Sequence, residues 1–322
     1  MSHFLTVPVN ENGIIFDANI DTELKWATDA PFAFTDVFIY SHGWWNTASS
    51  AVSEYNIFSI GFAQVMQRLA GATPVQFPKF GSPFSPLALA IHWPSMISDD
   101  QKSVANFLEA TSFFTMEHRA DSVGLNAGYS LFRLLIEARA NKTSLRFNLI
   151  GHSFGCRVVC AALEALAKDA ATVAKAKAMQ AQFNVVLLQA AADTDSLAKG
   201  RLYGDVLATI PNLRILATVS ANDKALGTWY PAAQKLAHLF SDPVAALGSA
   251  GPTGDLAVPV DQKLSVGPGS APAFTGKLGV ADLTPLHKSR QGVQGASSDW
   301  GGQHSDINLP EVYELIARFF GA

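Results

Sequence analysis

Leu145-Arg146-Phe147-Asn148-Leu149-Ile150-Gly151-His152-Ser153-Phe154-Gly155-Cys156-Arg157-Val158-Val159-Cys160-Ala161-Ala162-Leu163-Glu164-Ala165-Leu166 is the stretch on which the reading of this chain turns. Residues 145–150 are a short apolar run with strand character. After Gly155, the residues Val159, Ala162, Leu163 and Leu166 recur at helical spacing. Between the two halves stands G-x-S-x-G. The bare pattern is weak: with Gly and Ser each near 7% of residues, a chain this long shows one by chance about one time in ten. Strand before and helix after make it much stronger. In that context the glycines let backbone and helix approach closely, so that a strained turn presents the Ser153 hydroxyl above a sheet.

Strand followed by helix recurs on both sides of this segment. Apolar runs at 36–40, 87–92, 145–150, 183–189, 213–219 and 278–283 read as strands buried on both faces. Helical stretches are expected at 52–70, 117–140, 154–179 and 230–240, with a last helix opening at Pro310, a residue suited to the first helical turn. Segments 5–9 and 13–16 are expected to add edge strands. The alternation implies an α/β fold, a doubly wound and mostly parallel sheet flanked by helices, in a single domain over 1–322. Two regions break it. Residues 71–86 are rich in Gly, Pro and Phe, with Phe77, Phe80 and Phe84, and 241–302 are rich in Gly, Pro and Ser. Long segments of this kind are expected beside a site, as a cap or pocket wall.

Composition excludes several classes of function. A formal net charge of −4 with no basic patch argues against nucleic acid. No apolar run approaches the length of a membrane span, and the N-terminus has no positive region followed by an apolar core. Cys156 and Cys160 sit four apart on one helix face, poor geometry for a bridge, as expected of a reduced cytoplasmic protein. The histidines show no H-E-x-x-H spacing, and neither G-x-G-x-x-G nor a phosphate loop occurs, so no metal or diffusible cofactor is implied.

A serine hydroxyl is a poor nucleophile at neutral pH; it needs a general base and a group that orients the base. His238, His287 and His304 follow Ser153. His304, in Gly301-Gly302-Gln303-His304-Ser305-Asp306, lies after the last strand and before the final helix, where a loop could curl back to the hydroxyl. His287 is its rival, while His238 sits among apolar neighbours. Asp223 follows the strand 213–219 directly and is the expected acid, with Asp193 and Asp195 as alternatives. Acyl transfer also needs backbone donors for a developing oxyanion. Ser41-His42-Gly43-Trp44-Trp45 follows the strand 36–40, and the Trp44 amide, with Gly43 forming the turn, is expected to pair with that of Phe154. His42, Gly43 and Trp45 are expected around the substrate. His152, beside the hydroxyl in sequence, is expected to face away from it.

Taken in order, Ser41-His42-Gly43, His92-Trp93-Pro94-Ser95, Gly151-His152-Ser153-Phe154-Gly155, Asn222-Asp223-Lys224-Ala225-Leu226 and His304 resemble an α/β-hydrolase. The pattern is most similar to a bacterial branch with an HG loop, a strand ending in WPS and an HSxG elbow. It spans 36–322. The resemblance implies Ser153 as nucleophile, Asp223 as acid, His304 as base, and Trp44 with Phe154 as oxyanion donors. A serine esterase acting on a small-molecule ester or acyl substrate is the expected activity. A thioesterase, an amidase or a catalytically silent binding protein of the same fold are the alternatives. The Trp-Trp pair after HG and the long connection before His304 depart from the pattern and leave the substrate pockets open.

Overall fold

The computed structural model describes residues 4–16, 34–70, 84–96, 110–139, 145–237, 244–258, 264–266, 277–290 and 302–321. Phe77, Phe80, His238 and, in the connection before His304, residues 241–243, 259–263, 267–276 and 291–301 lie outside them. Strands β1 (Leu5–Pro8), β2 (Asp36–Ser41), β3 (Pro86–His92), β4 (Arg146–His152), β5 (Gln182–Leu188), β6 (Leu213–Val219), β7 (Leu264–Ser265) and β8 (Leu278–Asp282) form one sheet. Its order is β1-β3-β2-β4-β5-β6-β8-β7, and every ladder in it is parallel.

Helices cover both faces, and the alternation of side chains along the strands shows why. Phe38 and Tyr40, Ile150, Val186, Leu188 and Leu216 pack on one side, with helices α1 (Ala48–Ala70) and α7 (Pro310–Phe320). Val37, Ile39, Phe147, Leu149, Val185, Leu187 and Ile215 pack on the other. That second face is covered by α2 (Ala110–Val123), α3 (Tyr129–Arg139), α4 (Gly155–Lys168), α5 (Ala170–Ala178) and α6 (Tyr230–Ala237). Both faces being apolar explains the near-continuous hydrophobic runs of the central strands. No helix among the described residues is long and apolar enough to cross a membrane.

Several boundaries differ from the sequence reading. Segment 13–16 is no edge strand: it makes a single antiparallel bridge, Val9 to Ile15, around a turn in which the Asn10 side chain accepts from the amides of Asn12 and Ile14. The helix expected at 154–179 is broken at Asp169, whose carboxylate accepts from Ala171 N and Thr172 N and so caps α5. That expected over 117–140 begins earlier and is interrupted by a π turn, Gly124–Gly128. Helix α1 also begins earlier, because Thr47 Oγ1 accepts from Ser50 N in the manner of an N-cap.

The sheet order places the site. From β2 the chain runs outward to β3, then returns to β4 on the other side of β2. Connections therefore diverge above the carboxyl ends of β2 and β4, which are neighbours in the sheet. Such a switch point is where open α/β sheets leave a crevice. Residues 41–45 leave β2 there and residues 151–155 leave β4 there.

Candidate active site

Ser153 occupies the turn between β4 and α4 with φ +55°, a left-handed conformation that costs an L-residue about 1–2 kcal/mol. Neighbouring backbone holds it there. Its N–H donates to Leu188 O at 3.0 Å, and its carbonyl accepts from Cys156 N at 3.1 Å and Ala191 N at 3.2 Å. Glycine at position 155 is obligatory for the turn: a Cβ there would lie 2.1 Å from Ser41 O and 2.6 Å from His42 O. The elbow is thus pressed against the end of β2.

His304 reaches Ser153 from the segment between β8 and α7. Gly302 forms an antiparallel bridge with Asp223, which ties this segment to the loop after β6. His304 Nε2 lies 2.8 Å from Ser153 Oγ, and Nδ1 lies 2.7 Å from Asp223 Oδ2. Asp223 is fully buried. Its Oδ2 also accepts from Gln189 Nε2 at 2.9 Å, and its Oδ1 accepts from Leu226 N at 2.9 Å. A carboxylate held by donors on all sides requires Nδ1 of His304 to carry a proton. In the neutral ring, Nε2 is then bare and accepts from the Ser153 hydroxyl.

The rival residues stand elsewhere. His287 is fully buried, with Nδ1 at 2.8 Å from Ser220 Oγ and Nε2 at 3.1 Å from Asp306 O, so both nitrogens are engaged. Asp193 accepts from the Tyr230 hydroxyl, and Asp195 pairs with Arg201. Cys156 and Cys160 are buried free thiols, and burial pushes Cys160 up to about 12. Among the described residues no group of three or more His, Cys, Asp or Glu side chains is arranged to hold a metal ion.

The HG segment borders the serine. A Cβ on Gly43 would lie 2.8 Å from the Ser153 Cβ, so glycine is what allows β2 to end this close. Trp44 and Trp45 are half-buried, and the Trp44 ring lies edge-on to Phe154 at 5.5 Å. Trp45 N donates to Ser95 O at 3.0 Å, which commits that amide. Phe154 is the N-cap residue of α4 and presents its amide at the helix start, next to Ser153. His42 does not face the crevice. It is fully buried, its ring stacks on Trp93 at 5.3 Å, and Nδ1 lies 2.8 Å from Gly43 O. Burial pushes its pKa down to about 4, so it is neutral and supports the turn from below. Trp93 Nε1 donates to His42 O, and Ser95 Oγ bonds both N and O of Asn46. The Trp93-Pro94-Ser95 segment is therefore the brace of the HG turn. A cavity of about 420 Å³ opens beside it, lined by Val9, Phe16, Asn46, His92 and Met96 among others; Ser153 and His304 are not in its wall.

Side chains that sequence reasoning did not connect with the site complete it. Gln189 Nε2 donates to Gln303 O as well as to Asp223. His152 Nε2 lies 3.1 Å from the main-chain oxygen of His304, and its ring is 5.1 Å from the His304 ring. Glu54, from α1, stands 3.6 Å from His152 Nδ1, an ion-pair separation longer than a hydrogen bond. Nothing in sequence spacing links Glu54 to the elbow; the sheet order does. No family model matches the chain, and comparisons with curated proteins and with solved structures find no match.

Proposed function

We propose that this chain is a serine hydrolase of the α/β-hydrolase fold that cleaves carboxylic esters. The observation that carries the reading is the continuous line from Ser153 Oγ to His304 Nε2 at 2.8 Å and from His304 Nδ1 to buried Asp223 at 2.7 Å. It is supported by the positions of the three groups: after β4, after β6 and after β8, in the chain order Ser, Asp, His.

Ser153 Oγ attacks the carbonyl carbon while its proton passes to Nε2 of His304. Asp223 keeps the ring in the productive tautomer and balances the imidazolium that results. Charge developing on the carbonyl oxygen is met by the amides of Phe154 and Trp44. As the tetrahedral adduct collapses, the Nε2 proton goes to the departing alkoxide, leaving an acyl group on Ser153. Water then gives a proton to His304, attacks the acyl carbon and releases the carboxylic acid with Ser153 restored.

Matched nitrophenyl ester, thioester and anilide substrates test the reading. The wild-type chain turns over the ester fastest, and Ser153→Ala abolishes turnover with an unchanged melting temperature. Inactivity of the wild type on all three, or activity retained in Ser153→Ala, would sink it.

A further inference from the structure

We propose that Glu54 and His152 are a positioning pair for the base, clamping the main chain of His304 to the same elbow that carries Ser153. The inference rests on the reading of His304 as general base. His152 is the last residue of β4, adjacent to Ser153 in sequence, so it shares the rigid geometry of that turn. Its ring nitrogens face acceptors on both sides: Nε2 the carbonyl of His304 at 3.1 Å, Nδ1 the Glu54 carboxylate at 3.6 Å. Nε2 carries the proton that the His304 carbonyl accepts, and the carboxylate across from Nδ1 favours a second one there. Glu54 is itself held, accepting from the Tyr40 hydroxyl on Oε1 and from Asn46 Nδ2 on Oε2.

The charge states agree with this geometry. Burial pushes His152 down, but Glu54, the His304 carbonyl and Asp223 outweigh it and hold the ring above the usual histidine value. Burial likewise raises Glu54, but His152, Tyr40 and His42 outweigh it and hold the carboxyl below the usual range. Of the other groups facing the pair, His42 is neutral and in turn meets His92 at 5.9 Å, which burial also lowers.

A buried ion pair is weak evidence for stability, because desolvation offsets much of the attraction. What this pair does is geometric. Gln189 holds Gln303 O and His152 holds His304 O, so the main chain is pinned at two successive carbonyls.

The experiment compares kcat and KM of ester turnover in the wild type, His152→Ala, His152→Gln and Glu54→Gln. Loss of the clamp in His152→Ala lowers kcat about tenfold to a hundredfold with KM little changed, as a displaced base does. His152→Gln, whose amide still donates to His304 O, recovers most of kcat, a rescue that a merely structural role for the ring would not give. Glu54→Gln, which removes the charge and keeps one accepting oxygen for the Tyr40 hydroxyl, loses part of kcat. Wild-type kcat in His152→Ala, or a folded His152→Gln with no recovery, overturns the proposal. If His152→Ala does not fold, the kcat of Glu54→Gln decides it, a wild-type value overturning it. An unreactive wild-type chain would overturn the hydrolase reading as well; a reactive one with indifferent variants overturns this proposal alone.

Discussion

Replacing Asp223 by Asn removes one charge and no volume, and the surrounding contacts decide how the new side chain settles. Oδ2 accepts from His304 Nδ1 and Gln189 Nε2, whereas Oδ1 accepts from Leu226 N. An asparagine can place its oxygen at only one of these positions. With the oxygen toward His304, its NH2 meets the Leu226 amide, and two buried donors face each other at a cost of about 1–3 kcal/mol. With the NH2 toward His304, the oxygen still accepts from Leu226. Gln189 can then turn its Oε1, which has no partner, toward the new donor. The turn gives up the bond from Gln189 Nε2 to Gln303 O, but this second arrangement keeps the buried Leu226 amide paired, and it prevails. It forces His304 into the tautomer with a bare Nδ1 and a proton on Nε2, which points at Ser153 and cannot accept its proton. Substitution of this kind in a Ser-His-Asp triad lowers kcat by about 10⁴. At about 1.4 kcal/mol per factor of ten, that is a barrier higher by about 5 kcal/mol. The assay is kcat for a nitrophenyl ester, with the melting temperature measured alongside. A folded Asp223→Asn protein with kcat within tenfold of the wild type would refute the reasoning.

Two further perturbations probe the same contacts. Gly155→Ala drives a methyl into the Ser41 and His42 carbonyls, so it destabilises the fold by about 1–3 kcal/mol and slows acylation; an unchanged denaturation midpoint contradicts this. His42, whose pKa drops from 6.5 to about 4 on folding, binds a proton more readily unfolded than folded. Its contribution is therefore complete above about pH 6.5 and is lost as pH falls toward 4, by up to about 3 kcal/mol. Urea titrations at neutral and acidic pH should show a smaller pH dependence in His42→Phe than in the wild type, and equal slopes would remove the argument.

Much of this architecture was legible because the central strands are buried on both faces and read as apolar runs. Ser153 and the flanking strand and helix could be recognised together, since the turn is local; Gly151 is dictated by nearby Cys156, whereas the need for Gly155 comes from Ser41 and His42, far off in sequence. His304 and Asp223 were nameable from their order after Ser153 and their places after strands. The distances between them depend on the return of the chain from β8, which no spacing reveals. The break at Asp169 was readable in principle from an acidic residue followed by Thr172, but the helical periodicity on either side hid it. The π turn at Gly124–Gly128 left no pattern distinct from an ordinary helix. His42 belonged to the HG motif by sequence, and only packing against Trp93 shows it beneath the crevice. Glu54 was invisible for a different reason: a charged residue in the middle of α1 reads as solvated, and only the adjacency of β2 and β4 brings it against His152.

The most direct measurement is the reaction of the folded chain with a fluorophosphonate, with the modified residue identified by mass spectrometry. The account predicts one adduct per chain, on Ser153, that forms far more slowly in His304→Ala and not at all after denaturation. A folded wild-type chain that takes up no label, or takes it on another residue, would contradict it.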